Sequence, residues 1–414
     1  MKKILFNPAC IATVETNGKN VKTGKEQGNI SPLFDHSIII EDGIIKDLIP
    51  NKSFKNNSEI EIIDVSYKTV LPGLVECHTH TAFAGSRANE FKEKISGIGY
   101  EEIAKRGGGI NTTVQAVRDS SFEELVNLIN PRIDNFISQG ITTLEIKSGY
   151  GLDFENEVKL LQVINYINEI YPIDIIPTFL GAHTLPNELK NDREKYLKLI
   201  TEKMLPYISV QKLAVFCDGF CESTAFTSEE IDLVFTAASN LGLKLKLHTE
   251  QFNNIGGLEV ALKHKVTSVD HLEVLRNEDI NKFKNTGTTA VLLPGVSFFL
   301  NYDYAPTRKL IEKNIPVALA TDYNPGSSHI SSLFLIMSLA ALKMKMTIEE
   351  IISAVTINSA KALGLEKEIG SIEIGKKADF AVYNTRDYAD IVYSIGDNLT
   401  EMTIKNGNII FQRS

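Results

Sequence analysis

Cysteine is scarce. Only Cys10, Cys77, Cys217 and Cys221 occur in 414 residues, and their scatter excludes a disulfide framework and fits a reducing cytoplasm. Cys217 and Cys221 lack the two-pair spacing of a zinc ribbon and read as buried thiols. Positive charge is short as well. With 43 Lys and Arg against 52 Asp and Glu, the formal net charge is -9, which leaves no basic field for nucleic acid or an anionic membrane. No apolar run approaches the roughly 20 residues of a membrane span. The opening Ile4-Leu5-Phe6 is interrupted by Asn7-Pro8, so an initial strand is expected there rather than a signal peptide. Short internal repeats and low-complexity linkers are absent too. What is there is an ordinary globular chain, 43% hydrophobic and 23% charged, long enough for one large domain and a smaller one.

Both ends are rich in short strand patterns. His36 to Ile40 and Ile44 to Ile49 flank Asp42-Gly43, which reads as a hairpin, and Glu59 to Val65 follows as another strand. The tail has the same texture at 370–375, at Asp379 to Tyr383, and at Met402 to Lys405 and Asn408 to Phe411 around the turn Asn406-Gly407. The economical arrangement is a small β-sandwich built from both termini, residues 1–68 plus 362–414, beside a central domain of residues 69–361.

The middle alternates apolar strand-like runs with amphipathic helical stretches, which predicts parallel strands with helices outside. A run from Val70 to Val75 supplies the first strand. Others begin near Thr142, Ile173, Ala214, Leu243, Val266, Thr289 and Val317, about eight over roughly 250 residues, the cadence of an α/β fold of the TIM-like (β/α)8 barrel type. In such a barrel the chemistry gathers at the C-terminal ends of the strands. There the sequence puts His78 and His80 on the first strand, Tyr150 after the second, His183 after the third, His248 on the fifth, His271 on the sixth and Asp322 on the eighth. Five of only eight histidines thus share one rim. His78 and His80, two apart on a strand, point to the same side and supply half of a metal site. His36 and His264 lie outside the pattern, and His329 is too far past its strand to assign.

The histidine pair on the first strand, the histidines on the fifth and sixth and the aspartate on the eighth resemble the amidohydrolase superfamily of metal-dependent barrel hydrolases. Within it the resemblance is to the members that open the ring of 4-imidazolone-5-propanoate to N-formimidoyl-L-glutamate in histidine degradation. It is carried by residues 78–87, 107–110, 145–152, 179–183 and 321–328, the most specific blocks being Lys147-Ser148-Gly149-Tyr150-Gly151 and Asp322-Tyr323-Asn324-Pro325-Gly326-Ser327. The resemblance implies one divalent metal per chain, zinc or iron, held by His78, His80, His248 and Asp322. It implies substrate contacts from Tyr150, His183, Gln251 and Ser327, product contacts from Tyr150, Asn324 and Gly326, a further contact from Tyr100, and a cytoplasmic homodimer. Some superfamily members hold two metals through a carboxylated lysine on the fourth strand. That strand here, Ala214 to Asp218, has no lysine, and Lys147 on the second strand is taken as structural.

These residue types allow the chemistry on their own terms. Asp322 can take a proton from water and pass it on, while His271 or His183 can hydrogen-bond the reacting centre. Arg87, in the loop after the metal histidines, offers a bidentate fork for the substrate's propionate. Gln251 stands where some members of the family place a glutamate. A glutamine cannot accept a proton, so it can only orient substrate or water. Glu250 beside it is expected to face away, and Gly107-Gly108-Gly109 is read as a loop near the mouth because it lacks the lysine of a phosphate-binding loop. Two other readings are a related aminohydrolase acting on purine or triazine rings, and a metal-free scaffold relative. The intact ligand set opposes the second.

Overall fold

The computed structural model describes residues 2–97 and 109–414. Its strands run in chain order as β1 (Lys2–Phe6), β2 (Cys10–Ala12), β3 (Pro32–Leu33), β4 (His36–Glu41), β5 (Ile44–Pro50), β6 (Ile60–Asp64) and β7 (Thr69–Pro72). The central strands are β8 (Leu74–Glu76), β9 (Ile141–Lys147), β10 (Asp174–Ala182), β11 (Phe216–Cys221), β12 (Lys244–Thr249), β13 (Ser268–His271), β14 (Thr289–Leu292) and β15 (Val317–Leu319). The chain finishes with β16 (Phe380–Tyr383), β17 (Thr400–Lys405) and β18 (Asn408–Gln412).

Strands β8 to β15 form one parallel eight-stranded sheet in sequential order. Its seam closes just beyond the strands. Asp322 N donates to the His78 carbonyl at 3.1 Å and His80 N donates to the Tyr323 carbonyl at 3.0 Å, so the residues that close the barrel also carry the candidate ligands. Outer helices start on reciprocal caps: Ser121 with Glu124 before Phe122–Ile137, Thr227 with Glu230 before Ser228–Asn240, and Thr347 with Glu350 before Ile348–Ala354. Each cap satisfies amides that a helix start would otherwise orphan. No helix among the described residues is long and apolar enough to cross a membrane.

The small domain packs two sheets. One, in the order β5-β4-β1-β6, comes from the N-terminal segment alone, and the other, β18-β17-β16-β7-β2-β3, interleaves both termini. Leu5, Ile38, Ile45, Val70, Phe380 and Ile404 fill the space between them. The expected hairpin is β4–β5, and both turn residues, Asp42 (φ 51°) and Gly43 (φ 78°), take the left-handed backbone that such a turn requires. Asp174, at the start of β10, accepts from Lys405 of β17 at 2.8 Å and ties the sandwich to the barrel.

Two expectations fail. Val70 to Val75 is not one strand: β7 pairs with β16 and β2, whereas β8 pairs with β9. The chain changes sheets at Gly73, which packs so closely on Thr142 that a Cβ would lie 2.3 Å from its Oγ1. Residues 370–375 form no strand, although Ile372 N donates to the Thr13 carbonyl at 2.7 Å and Gly375 N to the Ile45 carbonyl at 2.9 Å.

The barrel interior is polar at the level of the site. In β12, Leu245 and Leu247 pack among the helices, while Lys246 and His248 turn inward. Val75, Phe216, Val291 and Ala318 form an apolar cluster nearer the strand starts.

Candidate active site

His78, His80, His248 and Asp322 converge where the seam closes. His78 Nε2 and His80 Nε2 each lie 3.3 Å from Asp322 Oδ1, and His248 Nε2 lies 3.3 Å from His80 Nε2. Two rings have their other nitrogen committed. His78 Nδ1 donates to Asp270 Oδ2 at 2.6 Å, and His248 Nδ1 donates to Asp218 Oδ1 at 3.1 Å. Each Nε2 is therefore left as a lone pair. His78 Nε2 and Asp322 Oδ1 are buried without a hydrogen-bond partner. Acceptors facing acceptors call for a cation between them, and the 3.3 Å spacing is about the edge of a tetrahedron with bonds of roughly 2.0–2.1 Å. The donor set fits a divalent metal.

Electrostatics suit that use. Burial, with the Lys147 charge, keeps His248 neutral by lowering its pKa to about 4, against the pull of Asp218. At His271 burial works against the imidazolium, but Glu273, whose Oε2 lies 3.5 Å from Nδ1, and Asp322 raise its pKa above the ordinary value. The backbone is strained here too. His271 (φ 86°), Leu272 (φ 74°) and Asp322 (φ 48°) are left-handed, a cost met at functional sites when packing over-determines the conformation.

A cavity of about 430 Å³ opens above these groups. His80, His183, His248, His271, Asp322, Arg87, Tyr150, Gln251, Asn324, Gly326 and Ser327 all line it, whereas His78 is buried beneath. His183 donates from Nδ1 to the Gly149 carbonyl at 2.9 Å, which leaves Nε2 as an acceptor, and burial among the other imidazoles takes its pKa down to about 3. Arg87 Nε is held by Glu90 at 2.8 Å, and its Nη1 passes so close to Gly326 that a Cβ there would lie 2.0 Å away. The Asn324 side chain is occupied within its own loop. Its Oδ1 accepts from the amides of Gly326 and Ser327, both at 2.8 Å, and its Nδ2 donates to the Asp322 carbonyl at 2.7 Å. Tyr100 and the Gly107-Gly108 part of the glycine run lie outside the described residues. His329 packs its ring on Tyr323 and Phe83, away from the cavity lining.

Family membership follows from comparison. The amidohydrolase family matches residues 103–411. An imidazolonepropionase of Clostridium tetani (strain Massachusetts / E88) is 41% identical over 100% of both chains, and one of Geobacillus thermodenitrificans (strain NG80-2) is 44% identical over 90% of this chain and 89% of its own. The chain belongs to the imidazolonepropionase family of amidohydrolases. It is accordingly a hydrolase. Among solved structures, E. coli guanine deaminase superposes over 100% of both chains with a TM-score of 0.76 at 14% identity, a likeness of fold.

Several residues of this site escaped the sequence. Asp218 was findable, because a ligating histidine nearly always gives its other nitrogen to a carboxylate and Asp218 lies on the strand beside His248, whereas Asp270 meets His78 from a strand that does not pair with β8. Glu273, two residues past His271, carried the same hint. Lys94, Phe220 and Tyr302 line the cavity from a helix end, from β11 and from a loop, and carried no signal. Gly326→Ala is expected to displace the Arg87 guanidinium and lower kcat/KM about 10- to 100-fold, mainly through KM, with bound metal unchanged. Steady-state kinetics with metal analysis would check it, and an unaltered KM would show that Arg87 does not bind substrate.

Proposed function

We propose that this chain hydrolyses 4-imidazolone-5-propanoate to N-formimidoyl-L-glutamate, a step of histidine degradation, in the cytoplasm and as a homodimer. The barrel (74–361) carries the chemistry and the sandwich (1–72 with 362–414) braces it, β7 belonging to the sandwich rather than to the barrel. The observation that carries this reading is the mutual approach of His78, His80, His248 and Asp322, with His78 Nε2 and Asp322 Oδ1 left as buried unpartnered acceptors, at the floor of a cavity flanked by the Arg87 fork. We assign one metal, zinc or iron, since nitrogen and oxygen donors of this kind accept both. When bound, the metal supplies a water of lowered pKa and polarises the ring carbonyl.

The chain's own residues do the rest. Arg87 keeps its Nη atoms for the propionate because Glu90 occupies Nε. His183 Nε2 accepts from a ring N–H, its tautomer set by Gly149. Burial keeps Tyr150 a phenol, able to donate, and Gln251 and Ser327 orient the ring from the cavity wall. Asp322 takes the proton of the attacking water as the new carbon–oxygen bond forms at the lactam carbon. His271, biased toward its protonated form, donates to the oxyanion that develops there. As the carbon–nitrogen bond breaks, Asp322 returns the proton to the departing ring nitrogen.

The test is to quantify zinc and iron in purified protein and follow loss of 4-imidazolone-5-propanoate before and after chelation. About one metal per chain with turnover abolished by chelation is expected. A stoichiometric metal without turnover of that substrate would overturn the substrate assignment while leaving the metal site standing.

A further inference from the structure

The loop after β9 carries Tyr150 and is folded around one buried carboxylate. Glu157, in the first turn of the helix Phe154–Ile170, has no exposed surface and turns back toward that loop. Its Oε1 accepts from the amides of Gly151 at 2.7 Å, Leu152 at 2.9 Å and Gly149 at 3.1 Å, and its Oε2 accepts from Gly149 at 3.0 Å. The amides on either side of Tyr150 thus end on one side chain. Converging amides of this kind form a nest for an anion. Burial pushes the carboxyl's pKa up, and the Ser148 hydroxyl and these amides work against that rise. The backbone is shaped for the nest. Gly149 (φ 101°) and Leu152 (φ 54°) are left-handed, and a Cβ on Gly151 would lie 2.4 Å from the Glu157 amide nitrogen, so the nest accounts for both glycines of the Lys147-Ser148-Gly149-Tyr150-Gly151 block. The same loop orients His183. The Gly149 carbonyl accepts from its Nδ1 at 2.9 Å, and the centres of the Tyr150 and His183 rings lie 5.4 Å apart at the cavity wall.

We propose that Glu157 is a positioning residue for this reaction, holding the amides of Gly149, Gly151 and Leu152 so that the loop presents the Tyr150 hydroxyl and the His183 ring to the imidazolone. The inference rests on the substrate contacts proposed above for Tyr150 and His183. Glu157 does not line the cavity, and its bonds go to the loop rather than to a candidate metal ligand. It acts through the loop alone. A displacement of about 1 Å there is enough to cost turnover while the fold and the metal persist.

The experiment is a double-variant cycle on the metal-loaded full chain, read as kcat/KM for 4-imidazolone-5-propanoate, with metal content and unfolding midpoint measured alongside. Wild type is measured first. No turnover of this substrate by metal-loaded wild type overturns the proposed function and this inference with it. Glu157→Gln keeps the shape, but either orientation of its amide sets a donor against the Gly149 amide, which bonds both oxygens. It is expected to lower kcat/KM about 10- to 100-fold with bound metal unchanged. In a Tyr150→Phe background the hydroxyl that the loop places is already gone, so the Glu157→Gln loss is expected to shrink at least about threefold. A merely structural role gives losses that multiply. Losses equal within about twofold in the two backgrounds, or wild-type kcat/KM in Glu157→Gln, overturn the inference and leave the proposed function standing. If Glu157→Gln does not fold, Glu157→Asp, which keeps the carboxylate but draws it back by one methylene, is run through the same cycle and decides by the same two outcomes.

Discussion

Asp322→Asn is expected to lower kcat/KM for 4-imidazolone-5-propanoate by about 10⁴-fold or more. The carboxylate has two tasks that an amide cannot share. It offers Oδ1 to the inward nitrogens of His78 and His80 at 3.3 Å, and it carries the proton from water to the leaving nitrogen. Asparagine is nearly isosteric, yet its amide N–H can donate to those lone pairs and so takes the place the cation needs. The backbone bond from residue 322 to the His78 carbonyl does not depend on the side chain, so the barrel seam should hold. Loss of metal and turnover together, with an unfolding midpoint close to wild type, is the expected pattern. Retained metal with turnover within tenfold of wild type would remove Asp322 from both roles.

The barrel and its rim were legible because six of the eight strands end on or just before a residue whose chemistry stands out from an apolar run. His248 follows Leu245-Lys246-Leu247, and Asp322 follows Val317-Ala318-Leu319-Ala320-Thr321. Less legible was where the polar face of a strand points. Alternation such as Leu-Lys-Leu-His usually marks a strand with one solvated face. Here the alternate face turns into the barrel, and Lys246 lies fully buried. The period is the same in both cases, so periodicity cannot separate them, and only partners on other strands, Glu145 three strands from Lys246 and Asp218 two strands from Lys147, reveal that the lysines are compensated. The same limit explains the missed break at Gly73. An apolar run carries no mark of which sheet each half joins, and the decisive contact is with Thr142, almost seventy residues on. Arg87 was found through its fork, but the reason for Gly326 lies only in their mutual approach.

Lys246→Met is expected to cost about 3–5 kcal/mol of unfolding free energy in the metal-free protein, read from denaturant titration. The ammonium is wholly buried, donating to the Cys77 carbonyl at 2.6 Å while facing Glu145 and Asp270 at 3.1 and 3.5 Å. Methionine fills much the same volume, so the loss falls on the partners, which keep their charge and lose its compensation. Lys263 gives the contrast. Its bond to Asp232 is shorter, at 2.6 Å, but the side chain is 63% exposed, and Lys263→Met should move stability by no more than about 1 kcal/mol. Distance alone would rank the two lysines the other way, and burial decides. Lys246 also holds the carbonyl of the residue preceding His78, so its removal loosens the backbone from which a candidate ligand projects. Metal release at lower denaturant than global unfolding is therefore expected in Lys246→Met and not in Lys263→Met, and equal stability of the two variants would mean that the buried groups facing Lys246 carry no charge.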